Sequence, residues 1–181
     1  SDHRDITQAT RLILPGVGHF AQAMKSLRER NLVELLTHKV MDEKTPILGI
    51  CLGIQLFTRF SEEGNVPGLG WIAADTRKFS FPPPELRIPH IGWCPIHLTK
   101  KQDPPLGLTE GQFFYFVHSY YAEPCQKDSI SGITDYGIEF PSVISQDRIF
   151  AVQFHPEKSG FEGLKIYKNF LEIVYGYNTS H

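Results

Sequence analysis

Apolar residues follow two rhythms along this chain, and the changes between them mark its elements. Arg11-Leu12-Ile13-Leu14 is a short apolar run that stops at Pro15-Gly16, the pattern of a buried strand entering a turn. Phe20, Met24 and Leu27 then recur at four- and three-residue steps beside Lys25, Arg28 and Glu29, which predicts a helix. Leu32, Leu35, Leu36 and Val40 predict a second helix that ends before Thr45-Pro46. Ile47-Leu48-Gly49-Ile50 reads as another buried strand, with a helix from Leu52 to Phe60 directly after it. Strand, helix, strand, helix with short connections predicts an α/β domain whose central sheet is mostly parallel and flanked by helices.

The middle of the chain changes character. From Gly64 to Pro105 Gly and Pro interrupt every pattern, and Trp71-Ile72-Ala73-Ala74 and Ile96-His97-Leu98 predict short antiparallel strands in a smaller edge sheet. Phe113-Phe114-Tyr115-Phe116-Val117 is the most β-prone run. Ile149 to Phe154 predicts a last strand, and Leu164, Tyr167, Leu171 and Val174 a closing amphipathic helix. No repeat or interdomain linker divides residues 1–181, so a single domain is expected.

Composition narrows the function classes. With 41% apolar and 21% charged residues the chain is of globular type, and its net charge of −2 gives no reason to expect nucleic acid or a membrane surface as partner. No apolar run approaches the roughly 18–20 residues of a membrane span, and no signal peptide is visible. The three cysteines, Cys51, Cys94 and Cys125, are odd in number and form no CxxC pair, which fits a reducing compartment; a cytoplasmic location follows as the expectation. The chain opens Ser1-Asp2-His3 without an initiator Met, which fits either a trimmed start or a missing N-terminal piece of the domain.

Gly49-Ile50-Cys51-Leu52-Gly53-Ile54-Gln55 carries the sharpest chemistry. It sets Cys51 at a strand-to-helix junction with glycine two positions before and two after, the pattern of a nucleophile elbow. A lone cysteine is more often a buried small hydrophobe, but the glycine pair and the junction favour a nucleophile here. The helix N-terminus is expected to depress the thiol's pKa toward the attacking thiolate. Phe154-His155-Pro156-Glu157 supplies a base and its orienting carboxylate: Pro156 keeps His155 extended, and i and i+2 of an extended chain share a face. Pro15-Gly16-Val17-Gly18, after the first strand, has free backbone N–H groups suited to an oxyanion, although most such loops are ordinary βα turns. Cys94-Pro95-Ile96-His97 lacks a second ligand pair, so no metal and no cofactor is expected, while His118 reads equally as catalytic or as a satisfied strand end.

These segments, together with Pro89-His90-Ile91-Gly92-Trp93 and Tyr115-Phe116-Val117-His118-Ser119-Tyr120, resemble the class I glutamine amidotransferases, a flavodoxin-like fold. Among them they are most similar to the glutaminase subunits of imidazole glycerol phosphate synthases. The resemblance spans nearly the whole chain in family order. It implies Cys51 as nucleophile on the glutamine amide, His155 as proton shuttle and Glu157 as its orienter. It further implies an oxyanion site at the backbone of Leu52, Gly16 and Val17, glutamine held by Gly18, Gln55, Glu63, Ser119 and Tyr120, and Trp93, Tyr115 and Lys158 facing a (β/α)8-barrel cyclase in a heterodimer. The ammonia would pass to that cyclase, yielding imidazole glycerol phosphate and AICAR in histidine biosynthesis. The chain departs from the family in two places: the N-terminal βαβ portion expected before Arg11 is absent, and Cys94 stands where the family usually has Asn. The stretch from Ser61 to Trp71 also resembles subunits that feed ammonia to sugar-modifying synthases of surface-polysaccharide biosynthesis. A cysteine peptidase and a non-catalytic scaffold are the rival classes.

Overall fold

The computed structural model describes residues 2–80, 86–99 and 105–176. At its centre lies β2, Ile47–Cys51, buried at every position. On one side β1, Leu12–Gly16, pairs with it in parallel and sets Gly16 opposite Cys51. On the other side β12, Ile149–Val152, pairs in parallel. A strand covered on both faces needs apolar side chains throughout, which is why β2 shows no alternation. Ile47 joins one core cluster with Ile54, Phe57 and Ile149, whereas Leu48 and Ile50 join a second with Val152, Phe154 and Phe170.

The same sheet continues through β11, Glu139–Gln146, β10, Ile130–Asp135, and β7, His97–Leu98, all added antiparallel, giving the order β1-β2-β12-β11-β10-β7. It is therefore a mixed sheet, with its parallel strands gathered in the half that carries Cys51. The physical reason lies in the connections. β11 and β12 are joined by Asp147 and Arg148 alone, too short for the crossover that parallel neighbours require.

Where one edge sheet is predicted, two small sheets form. β3, Phe60–Ser61, β4, Val66–Pro67, β5, Ala74–Lys78, and β9, Tyr120–Pro124, make a sheet ordered β4-β3-β5-β9. β6, His90–Pro95, and β8, Phe113–His118, pair with each other in antiparallel fashion. Trp71 to Ala73 are loop rather than strand, because Trp71 and Ile72 fill the core under β2 instead of joining a ladder.

The helices are α1, His3–Gln8, α2, Phe20–Glu29, α3, Val33–Thr37, α4, Leu52–Leu56, and α5, Gly160–Gly176. α1 has no counterpart among the sequence-predicted elements; Asp2 and Asp5 close a capping box at its start. The second predicted helix is α3 continued by a π turn, His38–Asp42. The helix predicted from Leu52 to Phe60 stops at Leu56, since the following loop takes its carbonyls: Leu69 N–H donates to Leu56 O at 2.8 Å and Trp71 N–H to Phe57 O at 2.9 Å. On α5 the buried stripe is Gly163, Ile166 and Phe170, with Leu164 61% and Leu171 44% exposed, so the predicted face is off by one position. A Cβ at Gly163 would lie 1.9 Å from the Pro156 carbonyl oxygen, and this close approach turns the Gly163 face inward. The side chain of Val174 lies outside the described residues.

Candidate active site

Cys51 sits where β2 becomes α4, with φ 51° and ψ −102°. A non-glycine residue holds this strained conformation only when its surroundings enforce it. Here the glycine pair allows it. A Cβ on Gly53 would lie 2.0 Å from the Leu14 carbonyl oxygen, and one on Gly49 would lie 2.5 Å from the Phe57 ring. α4 can thus fold back tightly on β1 and β2, which leaves the thiol at the carboxyl end of the sheet.

The thiol is nevertheless buried, 6% exposed. Burial pushes the Cys51 pKa up to about 12; the Leu52 N–H works against this, the Glu157 charge adds to it, and the Gln153 amide and Lys158 oppose it. The expectation of a depressed pKa at the helix N-terminus is therefore overturned. α4 has only five residues, and its end groups do not outweigh the loss of water. An attack from this site must begin by taking the thiol's proton.

His155 lines the same cavity as Cys51. Its backbone is extended, φ −103° and ψ 96°, as the following Pro156 requires, and its ring is buried. Nδ1 faces Glu157 Oε1 at 2.6 Å, whereas Nε2 has no hydrogen-bond partner among the described residues. Glu157 reaches this position by a different route from the one expected: Pro156–Lys158 is a 3₁₀ turn, not extended chain. Ser159 locks that turn, its hydroxyl donating to His155 O at 2.6 Å while accepting from Tyr115 N–H at 3.0 Å. Facing a carboxylate, Nδ1 is the donor of that pair, so in a neutral ring Nε2 is the nitrogen left to accept a proton.

One cavity of about 490 Å³ collects most of the sequence-predicted residues. Cys51, Leu52 and Gln55 enter it from the elbow, Val17 and Gly18 from the loop after β1, Ser119 and Tyr120 from the start of β9, and His155 and Lys158 from the turn after β12. Glu63 also lines it, although Glu63 Oε2 accepts from Phe20 N–H at 2.7 Å at the start of α2. Gly16 and Glu157 stand just behind the lining, Gly16 opposite Cys51 in the ladder and Glu157 behind His155. Trp93 and Tyr115 do not line the cavity. They form a patch beside it, with ring centroids 6.0 Å apart, and Lys158 Nζ lies 5.8 Å from the Tyr115 centroid, so Lys158 belongs to both.

Two residues escape sequence reasoning. Gln153, fully buried, donates to Cys51 Sγ at 3.7 Å and accepts from Gln55 Nε2 at 3.2 Å. On α5, burial and the neighbouring Glu157 carboxylate push the Tyr167 hydroxyl up to about 12. Within its motif Gln153 reads as one more strand residue, and Tyr167 as one more position of a helical stripe. His118 lines the cavity, but both its ring nitrogens are engaged within the protein, which leaves it no acid–base role there. No group of three or more His, Cys, Asp or Glu side chains among the described residues is arranged to hold a metal ion. No helix among them is long and apolar enough to cross a membrane.

A buried thiol, a carboxylate-oriented imidazole and an adjoining backbone-rich cavity suit acyl transfer through a thioester. Comparison with known proteins agrees. The sequence profile of the family described as "Glutamine amidotransferase class-I" matches residues 2–174. Imidazole glycerol phosphate synthase subunit HisH 2 of Methanococcus maripaludis is 47% identical over 95% of this chain and 85% of its own length. The HisH 2 subunit of Pseudomonas aeruginosa is 44% identical over 96% of this chain and 86% of its own length. Among solved structures, a glutamine amidotransferase superposes with a TM-score of 0.70 at 18% identity, covering 96% of this chain and 84% of that one, which supports the fold alone. The chain belongs to the class-I glutamine amidotransferase family.

Proposed function

We propose that this chain is the glutaminase subunit of an imidazole glycerol phosphate synthase, releasing ammonia from glutamine for a (β/α)8 cyclase partner in histidine biosynthesis. One observation carries the chemistry: Cys51 and the His155–Glu157 pair meet at a single cavity. The HisH relatives support the pathway, and nothing in the comparisons favours the polysaccharide alternative. His155 Nε2 takes the Cys51 proton as sulfur attacks the side-chain amide carbon. The oxyanion is held by the Leu52 N–H and the Gly16–Val17 loop. The proton passes to the leaving nitrogen, ammonia departs, and a glutamyl thioester remains. Water, deprotonated by His155, then releases glutamate and restores the thiol. Gly18, Gln55, Glu63 and the Ser119–Tyr120 backbone hold the substrate.

The Trp93–Tyr115–Lys158 patch beside the cavity suits the cyclase face, so that ammonia would cross directly; the ring-forming lyase step belongs to the partner. Glutamate release, measured with and without a cyclase carrying a substrate analogue, tests the assignment. Activity should rise with the partner, vanish in Cys51→Ser, and fall by roughly 10²–10⁴-fold in Glu157→Gln, whose amide cannot stabilise the imidazolium. Peptide turnover without glutamine turnover, or partner binding with no glutaminase activity in the complex, would sink it.

A further inference from the structure

Behind the cavity lies a buried chain of polar side chains that the reaction itself does not use. On β6 alternate residues face opposite ways: Ile91 and Trp93 are exposed, whereas His90 points inward and is buried. The His90 ring is stacked on Tyr136, 3.9 Å away, and on Phe116, 5.0 Å away, which fixes its plane. Its Nε2 lies 3.3 Å from Cys94 Sγ, and its Nδ1 3.2 Å from His118 Nε2. His118 Nδ1 lies 2.9 Å from the Tyr120 carbonyl oxygen.

The direction of every bond follows from the last one. A carbonyl only accepts, so His118 Nδ1 must carry the proton and His118 Nε2 must accept. His90 Nδ1 therefore donates, which leaves His90 Nε2 to accept from the Cys94 thiol. Burial keeps both imidazoles neutral, with His90 lowered to about 4 and His118 to about 3, and pushes the Cys94 thiol up, so each group holds the form the chain demands.

The chain ends on a carbonyl that matters. Gln55 Nε2 donates to the same Tyr120 oxygen at 2.8 Å, and the preceding carbonyl, Ser119 O, accepts from Phe79 N–H at 3.0 Å. Together these bonds pin both peptide planes flanking Tyr120, at the cavity wall that lies next to Cys51.

We propose that His118 is a positioning residue for glutamine: locked in one tautomer by His90 and Cys94, it holds the Tyr120 carbonyl against Gln55 and so sets the Ser119–Tyr120 wall of the substrate cavity. This rests on the glutaminase reading above. His118→Leu removes the donor, whereas His118→Asn keeps an amide N–H near the place of Nδ1. In glutaminase assays with the cyclase subunit present, His118→Leu should raise KM for glutamine about five- to tenfold, the loss of one neutral hydrogen bond, with kcat within about twofold. His118→Asn should restore most of the native KM.

Labelling of Cys51 gives a second readout that needs no turnover. The glutamine analogue 6-diazo-5-oxo-L-norleucine should label His118→Leu correspondingly more slowly than the native chain at subsaturating concentration, while iodoacetamide labels both alike. Equal slowing with both reagents, or an unchanged KM in His118→Leu, overturns the proposal and leaves the glutaminase reading intact. A native chain that neither releases glutamate nor takes the analogue overturns that reading and this one with it. Nitrogen-15 spectra of the native imidazoles at neutral pH should show His118 as the Nδ1–H form alone; a tautomer mixture overturns the lock by itself.

Discussion

At the scale of single residues, Cys51 carries two demands that pull in opposite directions. Its position at the elbow aims sulfur at the cavity, and its burial disfavours the thiolate that would attack. The two are reconciled if ionisation is coupled to attack, with His155 Nε2 as acceptor. Because the thiol stands at about 12, its thiolate fraction should grow tenfold per pH unit across the neutral and mildly alkaline range. Alkylation of Cys51 by iodoacetamide, followed on its own peptide by mass spectrometry, should rise without a plateau up to at least pH 10. A plateau reached near pH 7 would mean a preformed thiolate and would remove the need for His155 as base.

At the scale of elements, the site depends on how closely α4 lies on β1. The contact is backbone against backbone at Gly53 and Leu14, with no flexible side chain to yield. Gly53→Ala should therefore destabilise the fold by more than ~3 kcal/mol in urea unfolding, at the upper end for an added methyl group. A loss below ~1 kcal/mol would show that the elbow can open. The same reasoning explains which elements were legible beforehand. β1, β2, β12 and α2 follow from local apolar patterns. The end of α4 does not, because Leu69 and Trp71, far along the chain, take the carbonyls that would have continued the helix. Nor does the buried face of α5, because the Gly163 contact with Pro156 outranks a stripe that puts Leu164 and Leu171 inside.

For the molecule as a whole, the two buried histidines predict how stability responds to acid. His90 and His118 ionise at about 4 and 3 in the folded chain against 6.5 ordinarily, so below 6.5 the unfolded chain binds protons that the folded chain does not. Their contribution is complete above pH 6.5 and is lost as the pH falls toward 4. Urea unfolding at pH 7.5, 6.5, 5.5 and 4.5 should show a decline of a few kcal/mol, smaller in a His90→Phe, His118→Asn double variant. A flat profile in the native chain would contradict the buried, neutral pair.

What the amino-acid sequence determined by itself was everything that neighbours along the chain decide. Glycines at 49 and 53 permit the Cys51 turn, and Pro156 extends His155. Such relations need only local geometry. The tertiary structure alone decided the protonation of Cys51, the pairing of Gln153 with it, the antiparallel half of the sheet and the chain from Cys94 to Tyr120. Each of these depends on which distant segment excludes water or offers a partner. His90 and His118 become neutral, one-directional hydrogen-bond donors only because β6 and β8 pair in one register and Phe116, Tyr136, Phe140 and Phe79 close over them.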